Sequence, residues 1–363
     1  MNKERRKSNL KNFRRATAVT FQESDDSDLK TSKISRIFNM FKTKSSGRSN
    51  LNLASLITAI EASGLRLSDI RLNRFKRNMH VIQKLQLNAE KNMIFEIDEE
   101  IFTKMIEENV DLIDRAVGKQ LVVPDFIDLK NDMTEIYKKL TKMYPSTEIG
   151  ISICTTDGQR FSIGDNFKCF TIQELIKPII YALILTQHGE DYVHQKIGKE
   201  TVFHEEKEIS LNKNGQPYNA FTTAGSVLAT SLIDGRNGAE KFVFILKSLK
   251  RLAGEESLTF NNFAYLQLKN YDDHSFAISH YMNENKCFDG SNWSEALDLY
   301  FQVLNFEINT DNLAVIAGTL DQVASNKLPC VKFKPKVSIK YTVVDQYIYL
   351  LFDLSEWRIL PNN

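Results

Sequence analysis

Apolar residues between positions 51 and 118 recur every three or four residues, which is the spacing of amphipathic helices. A first predicted helix ends near Gly64, a common helix terminator, and a third runs from Asp98 to Gly118 with a second between them. The positions expected to face inward are Leu53, Leu56, Ile57 and Ile60 in the first helix, Leu72, Phe75, Met79 and Ile82 in the second, and Phe102, Ile106, Val110 and Ile113 in the third.

A different pattern begins after Val123. Apolar and polar residues alternate from Glu148 to Thr156, as in a β-strand with one buried face. Asp157-Gly158 is a strong hairpin-turn dipeptide, and Arg160 to Ile163 is the expected return strand. Strands followed by a cluster of helices predict an α+β domain. The expected helices lie near residues 129–143, 173–188, 221–233, 239–252 and 293–303.

The first 50 residues differ from the rest in composition. Residues 1–20 carry seven basic residues and one acid, Glu4, and an acidic cluster follows at residues 23–28. So few apolar residues cannot offset the entropy that is lost on ordering, and we therefore expect a disordered tail over residues 1–50. The basic start also suits a mitochondrial transit peptide, so mitochondrial and cytoplasmic locations both stay open.

The next region, residues 51–120, has the helix–loop–helix pattern of an EF-hand domain. Its loop from Asn88 to Glu96 lacks the Asp-x-Asp-x-Asp-Gly series that supplies calcium ligands. We therefore expect a small all-α domain that binds no calcium.

Composition excludes several classes of function. With 47 Lys and Arg against 46 Asp and Glu, the formal net charge is +1, and nothing indicates nucleic acid or an anionic membrane. The longest apolar stretch, Ile179 to Leu185, is too short to span a bilayer. The four cysteines are scattered and no His/Cys spacing suits zinc, so we expect no metal, no cofactor and a reduced, intracellular compartment.

The segment from Phe170 to Pro178 has the lysine and the spacing of a Ser-x-x-Lys motif at the start of a helix. In such a motif one helical turn separates the two side chains, so the lysine amine can take the serine proton. The helix N-terminus also stabilises developing negative charge. Here Lys177 is present, but Glu174 stands where the serine is needed. The nearby residues that could supply a replacement hydroxyl are Thr171, Thr222 and Thr223.

Together with several other motifs in the same order, this segment resembles the animal-type glutaminases over residues 50–325. The resemblance implies a fold similar to serine β-lactamases and penicillin-binding transpeptidases, with an antiparallel sheet and a helical cluster. It also implies hydrolysis of L-glutamine to L-glutamate and ammonia. The segments that carry it are Leu56-Ile57-Thr58-Ala59-Ile60, Ser63-Gly64-Leu65-Arg66, Val123-Pro124-Asp125-Phe126, Thr156-Asp157-Gly158-Gln159-Arg160, Ile172-Gln173-Glu174-Leu175-Ile176-Lys177-Pro178, Tyr181-Ala182, Gly189-Glu190-Asp191-Tyr192-Val193-His194, Ile197-Gly198-Lys199-Glu200, Ala224-Gly225 and Thr230-Ser231-Leu232-Ile233.

The resemblance places the family's functional residues on positions that are mostly substituted here. The nucleophilic serine falls on Glu174, whereas the lysine is kept as Lys177 and a substrate-contacting tyrosine is kept as Tyr300. Other positions implied to bind substrate have changed, and they are Thr223, Leu268 and Ser275. The family forms homo-oligomers, so the expected partner is a second copy of this chain or a related active glutaminase.

Glu174 is a poor replacement for a serine nucleophile. Attack of a carboxylate on an amide gives a high-energy anhydride, and a carboxylate one turn from Lys177 favours the protonated ammonium, which cannot act as a base. As a structural residue, a carboxylate in the first helical turn contributes about 0.3–1 kcal/mol. We therefore expect a degenerate, inactive family member that acts through protein contacts, with an active glutaminase as the alternative.

The C-terminal part of the core domain, residues 121–325, is expected to be altered or truncated. The resemblance implies a Lys-Ser-Gly strand beside the oxyanion hole, where backbone N–H groups approach the substrate closely. After Gly318 the chain has no further glycine and no such triplet. Residues 326–363 instead predict two divergent strands around Asp345-Gln346.

Overall fold

The computed structural model divides the chain into two compact units, residues 1–127 and residues 128–363. Helices dominate both units, and the second unit also holds antiparallel sheets, so the predicted α+β class is confirmed. The residues that the structure describes are 23–45, 48–89, 97–201, 209–254, 258–288, 290, 292–327, 339–344 and 347–352.

The first unit consists of helices around one apolar core, with a short hairpin after the first helix. Its elements are α1 (Glu23–Phe41), β1 (Lys42–Ser45), β2 (Arg48–Leu51), α2 (Leu53–Ala62), a 3-10 turn (Ile70–Leu72), α3 (Asn73–Ala89), α4 (Glu99–Ile106) and α5 (Val110–Val117).

Helix α1 corrects the expectation of a disordered tail over residues 1–50. Ile34, Ile37 and Phe38 lie on one face of α1 and are buried, because that face packs against α4 and α5. Arg36 adds an ion pair to the buried carboxylate of Asp114. A short apolar stripe therefore orders a segment whose average composition is polar. Residues 1–22 lie outside the described residues.

The helix predicted from Asp98 to Gly118 is divided into α4 and α5 at Asn109. The Asn109 amide oxygen accepts a hydrogen bond from the backbone N–H of Phe75 at 3.1 Å, and its amide nitrogen donates to the carbonyl of Arg71 at 2.6 Å. Because these bonds direct the side chain to the start of α3, they tie the α4–α5 junction to a neighbouring helix. Asparagine commonly interrupts helices in this way.

The second unit contains the hairpin and helical cluster predicted after Val123. Its elements are α6 (Phe126–Met143, which starts at the end of the first unit), β3 (Gly150–Cys154), β4 (Arg160–Gly164), β5 (Phe170–Thr171), a 3-10 turn (Gln173–Ile176), α7 (Lys177–His188), α8 (Glu190–His194), α9 (Thr223–Leu232), α10 (Gly238–Leu252), β6 (Thr259–Phe260), α11 (Asn262–Tyr271), α12 (Asp273–Glu284), α13 (Trp293–Leu304), β7 (Phe306–Ile308), α14 (Thr310–Lys327), β8 (Ile339–Val344) and β9 (Tyr347–Phe352).

Helix α13 lies at the centre of the second unit. Seven of its twelve residues are buried, and it packs against α9, α10, α11 and α12. Helix α9 is buried continuously from Ala224 to Ser231. A helix that is apolar or small on all sides belongs in the middle of a domain, and these two helices form the inner layer.

The predicted hairpin is confirmed as β3 and β4, which pair antiparallel with Ile151 opposite Ile163. A second sheet has the strand order β5-β7-β6, with β7 antiparallel to both neighbours. The two strands predicted around residues 345–346 are present as β8 and β9, and they form a two-stranded antiparallel sheet of their own.

Helix α14 is attached to the β3–β4 hairpin by close packing and by a buried ion pair. Gly318 permits the close approach, because a Cβ atom there would lie 3.2 Å from the Sγ atom of Cys154. The Arg160 guanidinium pairs with the Asp311 carboxylate, and the Ser162 hydroxyl donates to the same carboxylate. The ion pair therefore joins the sheet to the helix that follows it.

Candidate active site

The turn that leads into α7 has an unusual backbone. Strand β5 pairs with β7, and the Ile172 N–H donates to the carbonyl of Phe306 at 2.8 Å. Gln173 then adopts a φ of 47°, in the left-handed region that costs a residue with a side chain about 1–3 kcal/mol. Its side-chain amide donates to the Thr171 hydroxyl at 2.9 Å, which holds this conformation. The predicted helix over 173–188 therefore begins as a 3-10 turn.

Lys177, the first residue of α7, is buried with 7% of its side chain exposed. Its ammonium contacts the carboxylate of Glu174, whose side chain is 62% exposed. The same Nζ atom donates a hydrogen bond to the backbone carbonyl of Phe221 at 3.1 Å. The amine that would activate a nucleophile is thus bound to a carboxylate and to a carbonyl oxygen.

The loop that carries the Phe221 carbonyl is fixed by Asn219. The Asn219 side-chain oxygen accepts from the N–H groups of Phe221 and Thr222, at 2.9 and 3.2 Å, and its amide nitrogen donates to the carbonyl of Glu200 at 2.8 Å. Gly225 is required beneath this loop, because a Cβ atom there would lie 1.8 Å from the Asn219 carbonyl oxygen. The carbonyl that holds Lys177 is therefore rigidly placed.

Tyr181 and His194 form a second layer behind Lys177 for which the sequence predicted no role. The Tyr181 ring packs edge-on against Phe221, with 5.8 Å between ring centroids, and its hydroxyl lies 3.0 Å from Nε2 of His194. The His194 Nδ1 atom lies 3.1 Å from the carbonyl of Ile197, which can only accept, so Nδ1 carries the proton and the Tyr181 hydroxyl donates to Nε2. Tyr181 is four residues after Lys177 on α7, and that spacing was the available sequence signal.

We expect the burial of His194 beside Tyr181 to make the stability of the protein depend on pH. Burial lowers the pKa of His194, with a smaller lowering by Lys199 that the Ile197 carbonyl and Glu190 oppose. The folded protein therefore prefers neutral His194, whereas the unfolded chain protonates it near its ordinary value, about 6.5. Because the unfolded state then binds more protons, stability should fall as pH decreases from 7 towards about 5.

Thermal unfolding of a His194→Gln variant measures that contribution. We expect its melting temperature to change less between pH 7 and pH 5 than that of the unmodified protein. His80→Gln, at an exposed position on α3, is the matched control and should keep the original pH dependence. An equal acid sensitivity in all three proteins would contradict this account.

The remaining predicted site residues have other structural roles. Thr223 is the first residue of α9, Leu268 packs against the apolar core of the second unit, and Tyr300 is buried on α13. Ser275 is buried near the start of α12, where its hydroxyl donates to Asp272 at 2.7 Å. The elements that carry these residues pack on one another around α13.

The described part of the chain shows no site for a metal ion. Within it, no group of three or more His, Cys, Asp or Glu side chains is arranged to hold a metal ion. Cys154, Cys169 and Cys287 are free thiols, and burial raises the pKa of Cys287. None of the described helices is both long and apolar enough to cross a membrane.

The family model for glutaminase matches residues 132–340, which is more than half of the chain. This chain belongs to the glutaminase family. The matched residues fall within the second unit, which has the α+β class that the sequence predicted. Members of the glutaminase family are generally oligomeric.

Individual glutaminases show how far the similarity extends. The chain is 34% identical over 297 residues to a Rattus norvegicus protein named glutaminase liver isoform, mitochondrial. That alignment covers 77% of this chain and 48% of the rat protein. The chain is 32% identical over 176 residues to glutaminase 2 of Clostridium perfringens, and that alignment covers 48% of this chain and 57% of the bacterial protein. A crystal structure of a probable glutaminase of Bacillus subtilis aligns with a TM-score of 0.49 at 19% identity, over 55% of this chain and 65% of that chain. This chain spans about half the length of the mammalian glutaminases that it matches.

The first unit also has a family match, since an EF-hand domain model covers residues 34–124. That match begins within α1 and includes the helices through α5, so the helical region starts earlier than residue 51. Most of the loop from Asn88 to Glu96 lies outside the described residues, and the expected lack of calcium binding stays a prediction.

Proposed function

We propose that this chain is a catalytically inactive relative of the glutaminases that acts through protein contacts. The observation that carries the proposal is the ion pair between Glu174 and Lys177. A carboxylate in contact with an ammonium favours the protonated form, and a protonated lysine cannot remove a proton from a nucleophile. The same substitution removes the hydroxyl that would attack the amide carbon.

The hydroxyls nearest in sequence support the same conclusion. The Thr171 hydroxyl accepts from the Gln173 side chain, and the Thr222 hydroxyl accepts from the N–H of Gly225 while donating to the carbonyl of Asn219. The Thr171 hydroxyl therefore stabilises the start of the 3-10 turn, and the Thr222 hydroxyl caps the start of α9. Thr223 then has to be tested as a replacement nucleophile.

The substituted binding positions argue against retention of glutamine. Free glutamine carries an ammonium and a carboxylate, and a pocket that binds it needs polar partners for both. Leu268 offers only apolar surface to such a ligand, and Ser275 already donates its hydroxyl to Asp272. Restoring one residue should therefore not restore binding.

An assay of ammonia release from L-glutamine tests this proposal on the full chain. We expect no turnover above background and no thermal shift with glutamine, because Glu174 replaces the nucleophile and also binds the amine of Lys177. A Glu174→Ser variant should also stay at background, since positions 223, 268 and 275 remain substituted. An active glutaminase serves as the positive control, and thermal unfolding checks that the variant folds.

Turnover that Lys177→Ala abolishes would contradict the inactive assignment. An active glutaminase that converts L-glutamine to L-glutamate and ammonia is the second candidate, and the kept, buried Lys177 favours it. That candidate needs a hydroxyl within reach of the amine. Labelling with an electrophilic glutamine analogue, mapped by mass spectrometry, should modify Thr223 if the candidate is correct and no residue if it is wrong.

The proposed partner is a second copy of this chain or an active glutaminase, because this family is generally oligomeric. Mitochondrial and cytoplasmic sites of action both fit. The rat relative carries the word mitochondrial in its name, which favours the first.

A further inference from the structure

Tyr181 and His194 have the geometry of a nucleophile and its general base. The Tyr181 hydroxyl lies 3.0 Å from Nε2 of His194, a hydrogen-bond distance at which a proton can be transferred. The Nδ1 atom of His194 lies 3.1 Å from the carbonyl of Ile197. A hydroxyl, a histidine that takes its proton and a third group that orients the histidine are the three parts of an activated nucleophile. None of these residues has a role in the proposed function.

The protonation of His194 suits the role of a base. Because the Ile197 carbonyl can only accept, Nδ1 carries the proton and Nε2 presents its lone pair to the Tyr181 hydroxyl. Burial lowers the pKa of His194, so the imidazole is neutral at pH 7. The phenol O–H therefore donates to a nitrogen that can accept its proton.

The Tyr181 ring is held on two sides, which keeps the hydroxyl beside the histidine. Its centroid lies 5.8 Å from that of Phe221 and 6.0 Å from that of His194, and both contacts are edge-on. Tyr181 on α7 and His194 on α8 are both half-buried, so part of each side chain remains in contact with solvent. The pair is thus preorganised without being enclosed.

A second histidine–tyrosine pair on the same two helices lacks this arrangement. The rings of His188 and Tyr192 have centroids 5.1 Å apart. The His188 Nε2 atom lies 2.7 Å from the carbonyl of Leu232, so this nitrogen carries a proton and cannot accept one. Tyr192 is 41% exposed and is more accessible than half-buried Tyr181. Comparing the two tyrosines therefore separates activation by a base from simple exposure.

We propose that Tyr181 is a nucleophile for activated acyl compounds, with His194 as its base. In this step the Tyr181 Oη atom forms a bond to the acyl carbon, and the bond between that carbon and its leaving group breaks. The phenol proton passes to Nε2 of His194 and from there to the leaving group. The product is an O-acyl tyrosine at position 181. The proposal goes beyond the proposed function, because it uses neither Glu174 nor Lys177.

Acetylation by N-acetylimidazole, mapped by mass spectrometry on the full chain at pH 7, tests this proposal. The reagent transfers its acetyl group to a phenol and releases imidazole. We expect Tyr181 to be acetylated at least tenfold faster than Tyr192 and Tyr271, although Tyr271 is 76% exposed. Hydroxylamine should then remove the acetyl group, since it cleaves phenyl esters and leaves lysine amides intact. Faster acetylation of Tyr192 or Tyr271 than of Tyr181 means that exposure sets the rate, and it overturns the proposal.

A His194→Gln variant tests the role of the base. The glutamine side chain can still accept a hydrogen bond from the Tyr181 hydroxyl, but it cannot hold the proton. Acetylation of Tyr181 should slow at least tenfold, whereas Tyr271 should keep its rate. A merely loosened structure would expose Tyr181 and raise its rate instead.

His188→Gln is the matched control and should leave the acetylation of Tyr181 unchanged. Thermal unfolding checks that both variants fold. An unchanged or faster rate at Tyr181 in His194→Gln would leave the histidine with a structural role alone and overturn the proposal.

Discussion

Replacing Asp311 with alanine is expected to lower the free energy of unfolding by about 3–5 kcal/mol. The Arg160 and Asp311 side chains are only 12% and 6% exposed, so the substitution leaves a guanidinium buried without its counter-charge. Its Nε atom already has no hydrogen-bond partner among the described residues. The Ser162 hydroxyl would lose its acceptor as well. Urea unfolding followed by circular dichroism measures the loss.

The matched control is Glu135→Ala on α6. Glu135 pairs with Lys138 in the same unit, but both side chains are largely exposed, and such pairs contribute about 0–1 kcal/mol. A loss of similar size for Asp311→Ala and Glu135→Ala would mean that burial does not set the strength of the Arg160–Asp311 pair.

Phe306→Ala is expected to cost about 3–5 kcal/mol, the usual range for removing a fully buried aromatic ring. Phe306 has no exposed surface, and its ring packs against those of Phe242 and Phe260. Its carbonyl also accepts the bond from Ile172 that precedes the 3-10 turn. The cavity should therefore loosen the sheet of β5, β7 and β6 next to the candidate site. Chemical unfolding measures the effect.

Phe263→Ala on α11 provides the comparison for the same chemical change. Phe263 is the more exposed of the two rings by far, and its removal should change stability by no more than about 0.5 kcal/mol. Equal losses for the two variants would show that the ring cluster around Phe306 packs too loosely to contribute.

The sequence predicted elements well where one face carries a regular apolar stripe, and poorly where tertiary contacts hold an element. The β3–β4 hairpin and α10 follow their patterns closely. Helix α14 gave no clear stripe, because buried Asp311 and Asn312 and the mid-helix Gly318 replace the expected apolar residues. The ion pair to Arg160 and the close packing on β3 explain why those residues are there. Helix α11 has no fully buried residue, since Tyr265 and Leu268 are only partly buried against the core, so its apolar stripe is weak.

In the candidate site, too, one contact could be predicted from the sequence and others depend on the tertiary fold. The contact between Glu174 and Lys177 follows from their spacing on one helical turn, and the structure has it. The bond from Lys177 to the Phe221 carbonyl joins residues 44 positions apart through a backbone atom, which no side-chain pattern encodes. The pairing of Tyr181 with His194 likewise depends on how α8 folds back beside α7.

The left-handed backbone at Gln173 sets the position of residue 174 without help from the side chain at that position. The conformation is held by bonds from the Gln173 amide to Thr171 and to the buried Asn305, whose own amide is anchored to the carbonyl of Phe301. None of these bonds uses the side chain at position 174. The main chain therefore presents whichever residue is encoded there at the same place, and a hydroxyl or a carboxylate can occupy position 174 without redirecting the polypeptide.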